Sequence, residues 1–535
     1  AEAAAGSAVP ESNEQEPTDS KAHESPNRGL NTNIVQDFAP AYLVNFVQDD
    51  GSEAEIRNTP FKQMGELVSM SIHLGGLKAL AEDLAQNAAL PDVLGAALNK
   101  SLDLLVSTLT SCGGDFFKIS GESVLAIWNP DLDISRNSEA TLQLMAYKAI
   151  ECGLLIRDRF HNQMLCEDIA HVVKIGIGAG HANMLHLGGE KARIECIVSG
   201  IAVTEAFQCE KICELGQVII SPSMWDLSRE NIRGVAEARG MVRVLEFVGP
   251  SRKVSIQKTL LTSNMAIHML QRYFPASIKP YLSCKPEHMA ELRQVSVLAL
   301  DIGYSPSELH FVDEQTLSNL GRIIELIQYE TYRLEGSMYK LVIDKEQCYI
   351  ILVFGLPPVA HENDPCRAVT CSLNIVAELS RHFPDQEIAA GISSGLAFCG
   401  AIGTGLRREY AVLGDVMELA KDMMRFASKD ESVLSITGGY IGKIMCDQLT
   451  KDFTAPTSIE MCFENCGMVQ LSGERGNTVI FQPGWISTLS NLEQKHSEKF
   501  DVEQSTSKNL VVTTSATRKL DTTSGGAWDN AHLEL

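Results

Sequence analysis

The sequence predicts an α+β protein in which one folding unit occurs twice. Three observations carry this expectation. The stretch 334–355, LEGSMYKLVIDKEQCYIILVFG, reads as a helix end, a turn and two apolar runs around the polar tip 344–347, which is the pattern of a β-hairpin. The stretch 111–128, SCGGDFFKISGESVLAIW, repeats it: Gly114, Lys118 and Glu122 keep the four-residue intervals of Gly336, Lys340 and Asp344. Two glycine-bearing apolar runs also correspond, with Gly176 and Gly180 matching Gly391 and Gly395 at an offset of 215 residues, against 222 at the hairpin (Lys118 to Lys340).

Each copy can be followed in order. In the first, 66–72 alternates as a strand does, and His73-Leu74-Gly75-Gly76 turns the chain into a helical stretch, 77–84. Residues 92–110 carry apolar side chains at helical spacing, and Gly113-Gly114 stops them. After the hairpin come a helix over 138–160, a long strand over 171–187, a strand over 194–200, a helix over 202–215, a short strand over 217–220 and a helix over 222–228. The second copy runs as strand 295–300 ending at Asp301, helix 313–334, hairpin, helix 365–382 and strand 387–399. A loop over 400–408, strand 410–413, helix 416–426 and strand 432–436 complete it. The expected divisions are a disordered segment 1–35, a first domain 36–255, a proline-bearing linker 256–288 with some helix, a second domain 289–485 and a Ser/Thr-rich flexible tail 486–535.

Bulk properties exclude several classes. The chain has 535 residues with a formal charge of −23, from 68 acids against 45 bases. A phosphate-tracking groove needs the opposite balance, so nucleic acid is not an expected partner. No apolar run reaches the roughly 18–20 residues that span a bilayer, so membrane insertion is not expected. No signal peptide is visible, although the chain begins at Ala1 rather than at a methionine. The 14 cysteines form no C-x-x-C pair, which favours reduced thiols and a cytoplasmic setting. The pairs Cys209/Cys213 and Cys462/Cys466 sit one helical turn apart but lack the further ligands of a metal site.

The combination of a strand ending in an acid, a Gly-Gly turn into a helix, a G-x-x-x-K-x-x-x-acid hairpin and a G-x-x-x-G strand resembles the class III nucleotide cyclases. KISGESVLAIW, VKIGIGAGHANML, VIISPSMWDL and FCGAIGTGLRREYAVLG carry the resemblance. Two tandem copies without a membrane segment are most similar to the soluble (type 10) adenylyl cyclases. The resemblance implies two ferredoxin-like cyclase homology domains that pair as an internal pseudo-dimer, with nucleotide sites at their interface. In such a site one domain supplies two aspartates for two Mg2+ or Mn2+ ions, and the other supplies a lysine and a Thr or Asp for adenine, an Asn for ribose and an Arg for the phosphates. Hard divalent ions want carboxylate oxygens, and two ions can stabilise attacking and leaving oxygens together.

Carried over residue by residue, the first pocket departs from that pattern. Its metal positions hold His73 and Glu122; Lys340 is kept; Ala411, Glu418 and Asp422 stand at the adenine, ribose and arginine positions. Imidazole suits softer metals, and two carboxylates would repel a triphosphate. The second pocket keeps aspartates, Asp301 and Asp344, at its metal positions, with Lys118 as its lysine and Ile197, Thr204 and Gln208 at the remaining places. Bicarbonate regulation, which the resemblance would bring, uses the lysine and an arginine whose place falls near Phe207. Arg407-Arg408-Glu409 precedes a strand as a phosphate-touching loop would, but also reads as a solvated charge run.

The leading expectation is therefore a soluble adenylyl cyclase homologue with decayed catalytic residues, a pseudo-cyclase that senses nucleotide or acts as a scaffold. The alternatives are an active adenylyl cyclase that converts ATP to cyclic AMP and pyrophosphate at the second pocket, and a structural component of a ciliary or flagellar assembly. ATP with Mg2+ or Mn2+ is the expected ligand, and Asp301 and Asp344 are the expected metal residues.

Overall fold

The computed structural model describes residues 32–49, 52–77, 79–80, 91–129, 141–165, 169–249, 260–279, 282, 290–429, 442–454, 460–471 and 477–486. The expected strand at 432–436, most of the helix that begins at Leu77 and nearly all of the two terminal segments lie outside them.

The first unit contains β1 (Phe61–Gly75), α4 (Pro91–Ser111), β2 (Asp115–Ser120), β3 (Ser123–Trp128), α5 (Thr141–Phe160), β4 (Val172–Gly188), β5 (Ile194–Gly200), α6 (Ile201–Ile212), β6 (Gln217–Ile220), α7 (Pro222–Ser228), β7 (Ile232–Ala236) and β8 (Val242–Phe247). Three short helices precede it: α1 (Thr32–Asp37), α2 (Ala41–Phe46) and α3 (Ser52–Arg57). The connecting segment carries α8 (Asn264–Gln271). The second unit contains β9 (Glu291–Tyr304), α9 (Glu314–Arg333), β10 (Ser337–Ile343), β11 (Cys348–Phe354), α10 (Asp364–His382), β12 (Ile388–Thr404), β13 (Arg407–Leu413), α11 (Asp415–Lys429), β14 (Gly442–Asp447), α12 (Gln448–Thr454), β15 (Met461–Gln470) and β16 (Asn477–Trp485).

Each unit forms an eight-stranded sheet. The strand orders are β2-β3-β1-β4-β6-β8-β7, with β5 paired to β4, and β10-β11-β9-β12-β14-β16-β15, with β13 paired to β12. The second order is the first shifted by a constant, so the repeat read in the sequence is a repeat of topology. The hairpins match in detail. The β2–β3 register slips between Phe116 and Lys118, and the β10–β11 register slips between Met338 and Lys340. A bulge re-aims the side chain beside it, and here each bulge stands directly before the lysine.

Helix α9 shows how one element is specified. Asp313 caps it by accepting the Thr316 N–H at 2.7 Å, and Leu317, Leu320, Ile323, Ile324 and Ile327 form its buried stripe. At its end the left-handed residue is Glu335, with φ 59°. Gly336 is needed for a different reason: a Cβ there would meet the Phe354 ring at 2.5 Å. Gly114 stands in the same relation to Trp128, at 2.6 Å.

Two expectations are corrected. Residues 400–408 are not a loop: β12 continues to Thr404, and Thr404 pairs with Arg407 across a tight turn at Gly405-Leu406. Gly403, one of the glycines that suggested a loop, allows close backbone approach instead, since a Cβ on it would lie 2.2 Å from the Arg407 carbonyl. Helix α1 begins at Thr32, inside the segment expected to be disordered, and Val35 is fully buried.

The outer cores lie beneath α4 and α5 in one unit and beneath α9 and α10 in the other. A third apolar cluster joins the units. It runs from Val35, Leu43 and Phe46 through Phe117 and Met184, across Leu270 and Phe274, to Val297, Tyr339 and Val412. The preceding helices are fastened by hydrogen bonds too: the Asp115 carboxylate accepts the Ala41 and Tyr42 N–H groups, each at 2.9 Å. His186, fully buried on β4, lies between the Tyr42 and Tyr273 hydroxyls at 3.1 and 2.8 Å. Tyr42 gives its single proton to Gln63 Oε1 at 2.6 Å, so His186 donates from Nε2 to Tyr42 and accepts from Tyr273 at Nδ1. Burial pushes the His186 pKa down to about 3, so the ring is neutral.

Candidate functional site

The two hairpins meet at the pseudo-twofold axis. Lys118 Nζ donates to the Leu341 carbonyl at 2.7 Å, and Lys340 Nζ donates to the Ile119 carbonyl at 2.8 Å. Each lysine thus bonds the backbone of the opposite unit. Each also has a carboxylate from its own unit: Glu195 on β5, 3.3 Å from Lys118, and Glu409 on β13, 2.9 Å from Lys340. An arginine two residues earlier in the chain closes each group, Arg193 just before β5 on Glu195 and Arg407 at the start of β13 on Glu409. Burial opposes the charge of Lys340, but Glu409 and the Tyr339 beside it outweigh burial and raise its pKa. The same pairing, with Arg407, holds Glu409 below its ordinary value against burial.

Two Lys-Glu-Arg triads therefore occupy equivalent places at the interface. Their signal was present in the sequence as R-x-E at Arg193/Glu195 and again at Arg407/Glu409, 214 residues on. The expected phosphate-touching loop is part of this arrangement. Arg407 is buried and also donates to the Phe116 carbonyl at 3.3 Å, while Arg408 pairs with Asp37 at 3.5 Å.

The first pocket belongs to an open groove of about 1370 Å³ between the units, which Lys118, Ile197 and Asp344 of the second pocket also line. His73, Glu122, Lys340, Ala411, Glu418 and Asp422 all line it, so the residues assigned to this pocket from sequence do come together. His73 sits near the end of β1, where burial lowers its pKa. Glu122 lies in the turn between β2 and β3. Glu418 and Asp422 project from α11 and are engaged with its own cations: Lys421 pairs with Glu418, and Arg425 with Asp422 at 3.5 Å.

The second pocket has partners at most of its positions. Asp301 is buried on β9; its Oδ1 accepts the Gly303 N–H at 3.0 Å and its Oδ2 the Ser428 hydroxyl at 3.3 Å. Burial is the main cause that raises its pKa, to about 6. Asp344 Oδ1 caps the hairpin turn by accepting the Glu346 and Gln347 N–H groups at 2.9 and 3.1 Å. Its Oδ2 accepts from Arg425 at 2.9 Å. Thr204 on α6 donates to the Gly200 carbonyl at 3.1 Å and meets His310 Nε2 at 2.9 Å. Gln208 is exposed on the next turn. His310 belongs to the segment after β9, which also presents its carbonyl to Asn183 Nδ2 at 3.0 Å.

Among the described residues no three His, Cys, Asp or Glu side chains cluster closely enough to hold a metal. Asp301 and Asp344 supply four carboxylate oxygens, every one of which already accepts a hydrogen bond. The described arrangement does not fit a metal pair.

No protein-family model matches the chain. It is 25% identical over 428 residues to human adenylate cyclase type 10, which covers 73% of this chain and 25% of that protein. The chain is homologous to adenylate cyclase type 10. The rabbit protein of that name is 24% identical over 418 residues, 72% of this chain and 24% of the relative. The chain thus spans about a quarter of the length of these curated relatives. Among solved structures, a class III adenylyl cyclase-like ATP-binding protein of Pseudomonas aeruginosa aligns over 77% of this chain and 92% of its own, at 13% identity and a TM-score of 0.47. The adenylyl cyclase CyaB of P. aeruginosa aligns over 36% and 95%, at 17% identity and a TM-score of 0.30. No described helix is long and apolar enough to cross a membrane.

Proposed function

We propose that this chain is a pseudo-cyclase, an adenylate cyclase type 10 homologue whose paired domains no longer carry out cyclisation and act as a scaffolding module. The observation that carries this reading is the engagement of the expected ligand-binding groups by the protein itself. Lys118 and Lys340 are held in Lys-Glu-Arg triads, Asp344 is paired with Arg425, and Thr204 is bonded to His310. Cyclisation of ATP needs cationic groups aimed at the charge developing on the phosphates. At the arginine positions stand Asp422 and Gln208, and a carboxylate there opposes that charge.

The test is direct. Purified protein is incubated with Mn2+ and ATP and assayed for cyclic AMP, beside Asp301→Ala. The expected result is no product above the protein-free blank in either sample. Product made by the wild type and lost in the variant would sink the reading.

A second reading, nucleotide sensing without turnover, draws on the size of the first groove, which is ample for a nucleotide, and on Lys340 in its wall. It predicts that ATP raises the melting temperature of the wild type. An unchanged melting temperature at saturating ATP leaves scaffolding alone.

A further inference from the structure

We infer that Arg425 is the resident counter-ion of the Asp344–Asp301 pair, seated by α11 where divalent ions would otherwise be drawn, so that the chain neutralises this pocket by itself and takes up a divalent cation there only when the arginine is removed. The argument begins with helix spacing. Asp422, Arg425 and Ser428 follow one another at intervals of three on α11 and share a face. That face meets the ends of β9 and β10. Arg425 Nη2 lies 2.9 Å from Asp344 Oδ2, and Ser428 Oγ lies 3.3 Å from Asp301 Oδ2. The remaining oxygens accept backbone N–H groups, from Gly303 on Asp301 and from Glu346 and Gln347 on Asp344.

A hard cation such as Mg2+ binds oxygen at about 2.0–2.1 Å in near-ideal octahedral geometry. Here it would have to displace a guanidinium of like charge from Asp344 Oδ2, and then remain next to that guanidinium. Arginine cannot relieve the clash by losing its proton. The guanidinium is also held from its other side, with Nη1 3.5 Å from Asp422 Oδ1, so leaving Asp344 would pull it toward a residue that lines the first groove. Arg425 therefore sits between Asp344 and Asp422 in the wall of the one groove that all three line. The inference does not depend on the absence of turnover, because metal uptake and cyclic AMP production are read separately.

The experiment is Mn2+ titration of the full chain without nucleotide, following free Mn2+ by electron paramagnetic resonance. For the wild type we expect no saturable binding that Asp344→Asn removes. Arg425→Gln is expected to bind Mn2+ at least about tenfold more tightly than wild type, and Arg425→Gln with Asp344→Asn to lose that gain. Wild-type binding that Asp344→Asn abolishes, or no gain in Arg425→Gln, overturns the inference. If Arg425→Gln does not fold, the melting temperature of Asp344→Asn in EDTA decides. Asparagine keeps Oδ1 as the acceptor for the two N–H groups, and puts an uncharged NH2 donor where Oδ2 accepts from Arg425. A lower melting temperature supports a lost Arg425 partner. A higher one means that two repelling aspartates had been relieved, and it overturns the inference.

Discussion

The lysines at the interface show what one residue's surroundings can change. Lys118 and Lys340 stand where the cyclase resemblance expects adenine to be read, but each already holds a carboxylate of its own unit and a carbonyl from across the axis. Their positions on hairpins were legible because glycine, lysine and acid recur at fixed spacing. Their partners were not, since Glu195 and Glu409 come from other strands and meet the lysines only once the sheets are built. His186 was likewise unremarked in the sequence, and it supports a pH prediction. The folded ring titrates at about 3, whereas an unfolded histidine titrates at about 6.5. Between these values only the unfolded chain takes up the proton. The stability His186 contributes is thus complete above about pH 6.5 and declines toward pH 3, by at most about 1.4 kcal/mol per pH unit. At neutral pH, His186→Phe is expected to melt below wild type, because it deprives the Tyr273 hydroxyl of its partner. In melts from pH 7.5 to pH 4.5 that gap should hold to about pH 6.5 and then narrow with acid; a gap that stays constant throughout or widens assigns the effect elsewhere.

Elements with strong periodicity were readable. Helix α9 and the hairpin strands β10 and β11 occupy nearly the residues that their apolar patterns and caps indicate. The weaker elements were not: β7, β8 and β14 are short and β15 is exposed, and with β16 they take their place from the side of the sheet they join, a long-range cause that no local window contains. The β12–β13 hairpin was misread because glycine marks both loops and places of close backbone approach. Helix α11 illustrates the second use. A Cβ on Gly391 would lie 2.1 Å from the Ala420 carbonyl, whereas one on Gly395 would have nothing nearer than 3.7 Å. Gly391→Ala is therefore expected to lift α11 from β12 and to cost about 1–3 kcal/mol. Gly395→Ala should be near neutral. Paired denaturation curves check this, and equal effects would show that α11 is not seated on Gly391.

At the scale of the whole molecule the duplication was legible and the joining material was not. The apolar cluster between the units includes Val35, Leu43, Val44, Phe46 and Ile56 from α1–α3 and Ile267 and Leu270 from α8. Residues that precede a domain and residues that connect two domains thus serve as shared core. A chain starting at residue 60 would lose those side chains and expose the surface beneath them. It is expected to melt at a lower temperature than the full chain and to bind a hydrophobic dye while still cold; unchanged melting would mean that the helices only rest on the surface. The reciprocal lysine bonds give the pair of units a mechanical character as well. Lys118 holds the backbone of β10 and Lys340 that of β2, on opposite sides of one axis. A rotation of one unit against the other loads both bonds at once, as two bolts through a joint share a torque. Such a joint resists small twisting and then releases as a whole, so any partner that opens it must supply the work for both bolts in a single step.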